Sequence, residues 1–314
     1  MNYAIVGYGN IGRKRQRLLG ARCVATVDRY QSDAMYRDVR DVPLDGIDAA
    51  VLSLPDAAKL ESLEYFLRAG KHVLVEKPLL FADRAAADRM AALARSSGAV
   101  WYTSYNARYE PLVERMRALL RDNAIGTLYM ARLVYGNGTV ANFSGTWREE
   151  GAGVLTDLGC HLIDLARELF GYDGSYEALD LRSLESATFD YALLASVDRR
   201  IVLEAANVMW RNRFAIDAYG EAGSLHLRGL LKWGPTRLTW RQRVRPSGVP
   251  TETVEESAGE DVTWAADLAA FERRAAAGET SLDTDWIVSR ALAPLLAQAR
   301  GRRRVASPRA MGSV

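Results

Sequence analysis

The chain has 314 residues, 49% apolar and 25% charged, the profile of a globular protein large enough for two domains with separate cores. Lys plus Arg number 41 against 39 Asp plus Glu, a net charge of +2 that argues against a nucleic-acid partner. Two cysteines, Cys23 and Cys160, exclude a disulfide framework, and no apolar run approaches the ~20 residues of a membrane span.

Tyr3–Val6 reads as a strand that breaks into Gly7-Tyr8-Gly9-Asn10-Ile11-Gly12, a GxGxxG opening the helix Ile11–Leu19. No charged segment precedes this strand, so a signal peptide is not expected and a cytoplasmic location is. Cys23–Val27, Ala49–Leu54, His72–Val75 and Val100–Thr103 read as further strands, separated by helical stretches such as Ala57–Ala69 and Arg84–Ser96. Continuous apolar strands alternating with helices predict a doubly wound parallel sheet covered on both faces. Glu110–Arg121 reads as a helix leading out of this region.

From Gly126 the texture changes. Thr127–Tyr135, Tyr191–Val197, Arg200–Ala206, Arg213–Tyr219, Ser224–Arg228 and Arg237–Arg243 alternate as in a large, mostly antiparallel open sheet. One strong helix, Gly153–Phe170, interrupts them, and Thr263–Ala277 and Asp285–Ala299 close the pattern. The expectation is an α/β protein with a Rossmann domain over 1–120 and an α+β domain over 121–300. Residues 301–314 read as a flexible tail with a solvated Arg302-Arg303-Arg304 run.

Ligands of a parallel sheet bind beyond the carboxyl ends of its strands. Gly7 allows the tight turn, Gly9 lets the backbone approach a pyrophosphate, and Gly12 lets helix and strand pack closely. With Asn10 and Ile11 at the helix start they form a cradle for phosphates. Ser53, Leu54, Pro55, Glu76 and Lys77 follow later strands and face the same crevice. Lys77, in Glu76-Lys77-Pro78, reads as either a lysine aimed at a cofactor or a surface lysine before a turn, and Pro78 restricts its backbone.

In Gly151-Ala152-Gly153-Val154-Leu155-Thr156-Asp157-Leu158-Gly159-Cys160-His161, Asp157 and His161 stand four apart, on one face of a helix. Histidine exchanges a proton near neutral pH, and a carboxylate orients it; a structural acid beside a half-buried histidine is the competing reading. Tyr105, Asn106 and Arg108 suit a polyhydroxylated ligand or an inter-domain contact equally. Arg241, Arg243 and Arg245 read as a solvated or subunit-contact row, with phosphate recognition the lesser reading. No metal-ligand cluster is visible.

Taken together, the amino-terminal GxGxxG, the later EKP and the GxGxxxDxGxHxxD helix resemble the Gfo/Idh/MocA oxidoreductases, named for glucose–fructose oxidoreductase and inositol dehydrogenase. The resemblance spans Tyr3 to the helices before Gly301. It implies a Rossmann domain joined to an α/β domain whose open sheet forms a homo-oligomer, dimer or tetramer, and chemistry on a sugar, polyol or nucleotide-linked sugar. It implies that Lys77 lies near the nicotinamide, that Asp157 and His161 handle the substrate proton, and that Trp147-Arg148 contacts substrate or packs. Family members often carry Thr-Pro-Asn-x-x-His where this chain has Leu54-Pro55-Asp56-Ala57-Ala58-Lys59.

Asp28, about 20 residues after the first glycine, suits the ribose hydroxyls and repels a 2′-phosphate. Arg29, and also Arg13, Lys14 and Arg15, suit adenine stacking or a phosphate. NAD is therefore expected over NADP, with some tolerance of NADP. Two alternatives stand beside a dehydrogenase: a glycoside-cleaving enzyme that retains NAD, and a non-catalytic dinucleotide sensor.

Overall fold

The computed structural model describes residues 1–142 and 151–305, with side chains through Gln298. The expectations for Trp147 and Arg148 lie outside the described residues. The chain divides into two compact units, Met1–Glu110 with Glu260–Ser289, and Pro111–Gly259 with Arg290 onward.

In the first unit, β1 (Tyr3–Val6), β2 (Cys23–Val27), β3 (Ala49–Leu52), β4 (His72–Glu76) and β5 (Trp101–Ser104) form one sheet in the order β2-β1-β3-β4-β5. Every pairing in it is parallel. Residues on both faces are buried, which is why these strands lack polar alternation. The helices α1 (Asn10–Leu19), α2 (Asp56–Arg68) and α3 (Arg84–Ser97) connect the strands. Asp83 caps α3 by accepting from Ala86 N–H at 2.7 Å, and Gly98, left-handed at φ +67°, ends it.

Two later helices also belong to this unit: Thr263–Ala277, and the first part of Leu282–Val305. We label these α6 and α7 (α4 and α5 lie in the second unit). A division into contiguous stretches at residue 120 misses this return of the chain. Its cause is a set of buried acids that no local pattern announces. Asp285 accepts from Trp101 Nε1 at 2.8 Å and Thr103 Oγ1 at 2.9 Å, both on β5. Asp267 accepts from Tyr102 Oη at 2.9 Å and Ser104 Oγ at 2.7 Å.

The second unit is built on eight strands in the order β13-β12-β11-β10-β6-β9-β8-β7. These are β6 (Leu128–Gly136), β7 (Tyr176–Arg182), β8 (Tyr191–Ser196), β9 (Ile201–Ala206), β10 (Arg213–Gly220), β11 (Gly223–Arg228), β12 (Thr236–Gln242) and β13 (Thr251–Ser257). All neighbours are antiparallel except β6 and β9. The helices α4 (Pro111–Arg121) and α5 (Cys160–Phe170) pack on this sheet. Phe214, Ile216, Leu225, Leu227 and Leu238 are buried, while intervening positions carry pairs such as Arg241–Glu252 and Arg237–Glu256.

Strands β7 and β13 were not anticipated. Strand β7 carries Glu177 and Asp180 where an apolar residue would have marked it, and β13 is an exposed edge with almost no apolar content. Helix α7 continues to Val305, into the stretch read as a tail. Among the described residues, no helix is long and apolar enough to cross a membrane.

Candidate active site

The glycine loop sits where strand order reverses, between β1 and β3. Gly7 has φ +90°, and a Cβ there would fall 2.2 Å from the carbonyl oxygen of Ser53. At Gly12 a Cβ would fall 2.1 Å from the carbonyl oxygen of Gly7, so α1 and the turn touch backbone to backbone. Around Gly9 nothing in the protein lies within 4 Å of such an atom. Gly9 is also the N-cap of α1 and supplies no side chain, so the helix start carrying Asn10 and Ile11 offers its first N–H groups outward. Ser53 Oγ is buried with no hydrogen-bond partner in the structure. A tight turn, an open side at the middle glycine and an unused hydroxyl fit the pyrophosphate and ribose of a dinucleotide. Leu54 and Pro55 follow Ser53; Leu54 flanks Gly7 and Pro55 opens α2.

Asp28 is already engaged by backbone. One carboxylate oxygen accepts from Tyr8 N–H at 2.7 Å, the other from Tyr30 and Gln31 at 2.8 and 3.1 Å. Partial burial works against its ionisation, but these N–H groups outweigh it and hold the carboxyl below its ordinary value. The acid thus stays charged and ties the glycine loop to the end of β2. Arg29 beside it is exposed.

The three other basic residues considered for the adenosine end are all engaged by protein groups. Arg15 is 1% exposed and bonds Glu76 and Asp267, so it is a core group and not a phosphate ligand. Arg13 pairs with Asp33 at 2.6 Å over the ring of Tyr8. Lys14 lies over the ring of Trp264 at 4.0 Å.

Lys77 follows β4 with a cis bond to Pro78, and Glu76 before it accepts from Arg15 Nε at 3.0 Å and Nη2 at 2.7 Å. Tyr105, Asn106 and Arg108 follow β5. Tyr105 is fully buried, Asn106 donates to Thr263 Oγ1 at 2.9 Å, and Arg108 reaches Thr284 Oγ1 at 3.3 Å. The bonds of Asn106 and Arg108 run to α6 and α7 of the same unit and not from one unit to the other.

In the second unit, the helix carrying Asp157 and His161 is not uniform. Leu155–Gly159 forms a π turn, with Cys160 N–H donating to Leu155 O across five residues. Such turns are frequent at functional sites. Gly153 is left-handed, and a Cβ there would meet Phe189 O at 2.1 Å, so the glycine-rich lead-in lies tightly against the segment before β8. His161 is 6% exposed, with its ring 5.7 Å from that of Tyr135. Lys232 Nζ donates to Tyr135 Oη at 2.7 Å and lies 4.7 Å from the ring of Trp233. Motif reading missed Tyr135 and the link through Lys232, because neither stands in sequence near the histidine.

The arginine row at the end of β12 is engaged by protein groups. Arg241 bonds Glu252 at 2.8 Å, Arg243 reaches Glu221 O at 3.2 Å, and Arg245 bonds Glu221 Oε1 at 2.8 Å. No group of His, Cys, Asp and Glu among the described residues could hold a metal ion.

The first unit is therefore an NAD-binding domain of the Rossmann type. Residues 1–105 match the model of an oxidoreductase family with an NAD-binding Rossmann fold, and residues 113–226 match the GFO/IDH/MocA C-terminal domain. The chain belongs to the GFO/IDH/MocA family of oxidoreductases. It is 29% identical over 195 residues to the uncharacterized oxidoreductase YdgJ of Escherichia coli, covering 59% of this chain and 54% of that one. The chain spans about half the length of the curated relatives it matches first. Among solved structures, levoglucosan dehydrogenase in complex with NADH superposes with a TM-score of 0.77 at 17% identity, over 96% of this chain and 97% of that one. A 3-ketoreductase from Actinomadura kijaniata, in complex with TDP-benzene and NADP, superposes at 0.73 with 20% identity, over 95% and 97%. At these identities the likeness is one of fold.

Proposed function

We propose that the protein is a dehydrogenase or reductase that moves a hydride between a nicotinamide cofactor and a CH–OH or C=O carbon of a sugar, polyol or nucleotide-linked sugar. The observation that carries this reading is Lys77, a cation at the carboxyl end of β4 in the same unit as a glycine cradle that fits a dinucleotide. When bound, the nicotinamide would supply the hydride acceptor. In the oxidative direction His161 would take the hydroxyl proton, with Asp157 orienting the imidazole, as the family resemblance implies. Lys77 stabilises negative charge developing on the oxygen, the kind of electrostatic help that is usually largest. The sugar class is supported by 32% identity over 147 residues, 44% of this chain and 42% of the other, to the dTDP-3,4-didehydro-2,6-dideoxy-alpha-D-glucose 3-reductase of Actinomadura kijaniata.

Asp28 favours NAD over NADP in this reading. The chain acts as a homo-oligomer through the open face of its eight-stranded sheet, in the cytoplasm.

The test is a screen for NADH formation with myo-inositol, levoglucosan, glucose, sugar acids and dTDP-glucose, read at the NADH absorbance. Turnover of one class supports the dehydrogenase. Glycoside cleavage without net NADH supports the NAD-retaining alternative, and cofactor binding with no reaction supports a sensor. Light scattering after size exclusion decides the oligomer.

A further inference from the structure

A lysine on the side of an ordinary helix is expected in water, yet Lys59 of α2 is 2% exposed. Its ammonium carries three N–H donors. Three acceptors meet it: Asp56 Oδ1 at 2.7 Å, the main-chain oxygen of Lys77 at 3.0 Å and that of Pro78 at 2.9 Å. The acid is a neighbour on its own helix. The two carbonyls are consecutive and belong to the turn that follows β4, beyond the last ladder pair of that strand, Glu76 with Ser104.

Burying an ammonium is unfavourable, and an apolar side chain of similar volume would often stabilise such a place as well or better. Burial pushes the Lys59 ammonium below its ordinary value, against the pull of Asp56. Glu76, on the other side of Lys77, is held by the buried Arg15 of α1. The segment Glu76-Lys77-Pro78 is thus gripped by one cation from α1 and another from α2. Lys77 lies between the two grips.

We propose that Lys59 is a positioning residue for Lys77: by bonding the carbonyls of Lys77 and Pro78, its ammonium sets the direction in which the Lys77 side chain leaves the backbone. The proposal rests on the reading of Lys77 as catalytic. It assigns Lys59 no contact with substrate or cofactor. A buried ion pair that only held α2 in place would lower stability when lost and leave the chemical step alone. A positioning residue acts on kcat, since small misplacements of a reacting group cost rate steeply.

The experiment is a double-mutant cycle on the full chain, with Lys59→Met, Lys77→Met and the combined variant. Turnover is followed with the panel compound giving the highest NADH rate, and cofactor affinity by NADH fluorescence titration. Lys59→Met should lower kcat by about 10- to 100-fold with NADH affinity unchanged. The combined variant should be no slower than Lys77→Met alone, because Lys59 acts only through Lys77. Wild-type kcat in Lys59→Met, or losses that multiply in the combined variant, would overturn the proposal while leaving the catalytic reading intact. Full turnover in Lys77→Met would overturn both. Should Lys59→Met fail to fold, Lys59→Gln takes its place: its neutral side chain ends one bond short of the ammonium that meets both carbonyls. Wild-type kcat in that folded variant rejects the proposal, and a loss of kcat absent in the Lys77→Met background supports it.

Discussion

Arg15 and Asp267, 252 residues apart in sequence, meet at 3.0 Å with side chains 1% and 0% exposed. The same guanidinium bonds Glu76 and Ser104 and lies 4.5 Å from the ring of Trp264. Burial pushes the Asp267 carboxyl up, while Arg15 and Ser104 pull it back. Removing one partner of such a pair strands the other charge in the interior. Arg15→Met is expected to cost about 3–5 kcal/mol, read as a lower midpoint in urea denaturation. A change below about 1 kcal/mol, the level of a surface pair, would show that the network does not hold α6 in place.

Replacing the glycines one at a time separates architecture from ligand binding. Gly12→Ala forces a methyl against the carbonyl oxygen of Gly7 and should lower the melting temperature of the protein without cofactor. Gly9→Ala meets open space and should leave that temperature unchanged while weakening NADH binding about tenfold or more, or about 1.4 kcal/mol. Equal NADH affinity in Gly9→Ala would place the pyrophosphate elsewhere.

His161→Ala should lower kcat by about 10²- to 10⁴-fold, the usual worth of a general acid or base. Binding of NADH, titrated by fluorescence, should survive. Near-normal turnover would remove His161 from the mechanism.

For the cofactor, kcat/KM with NAD should exceed that with NADP, and Asp28→Ala should narrow the gap. The variant also loses the backbone bonds of Tyr8, Tyr30 and Gln31, so its KM for both cofactors should rise. A tenfold or larger preference for NADP in the unaltered protein, about 1.4 kcal/mol, would reject the assignment of Asp28.

On the open sheet, Asp217 accepts from Arg228 at 2.5 Å and lies 2.6 Å from His226 Nδ1. Its partial burial works against ionisation, but the hydrogen bonds from His226 and Arg228 outweigh it, so the carboxyl sits below its ordinary value. The unfolded chain then binds more protons than the folded one between the two pKa values, and stability rises with pH through that window. The contribution is complete above the ordinary aspartate value near ~4 and lost as pH falls through the depressed folded value. Urea midpoints measured from neutral to strongly acidic pH should fall there, and less steeply in Asp217→Asn. An equally steep fall in the variant would assign the acid sensitivity to other carboxyls.

What was legible in the sequence was local. Gly7, Gly9, Gly12 and Asp28 lie within one strand–helix–strand stretch, and their spacing carries their roles. Glu76-Lys77-Pro78 and Asp157 with His161 likewise stand within short motifs, and the roles proposed for them come from those motifs. What escaped depends on residues meeting across long separations. Arg15 and Lys59 look like solvated helix cations until Asp267, Glu76 and the carbonyls of Lys77 and Pro78 are placed beside them. Asn106 and Arg108 carry no local sign of the bonds they make to Thr263 and Thr284. Tyr135 comes beside His161, and Lys232 beside Tyr135, only when α5 packs on the sheet.

The π turn at Leu155–Gly159 means that the helix leading to His161 holds one residue more than its length as an α-helix requires. That surplus phases the lead-in: it sets where Gly153 and Val154 meet Phe189 relative to the histidine further on. Deleting Thr156 would let the segment relax to ordinary winding with both flanks still in phase, because the lost residue and the lost widening offset each other. The imidazole and the glycine contact could then both keep their places. A deletion within Cys160–Phe170, where no surplus exists, would instead turn the two sides by about 100° against each other, so this helix should tolerate the loss of a residue at its wide turn better than anywhere after it.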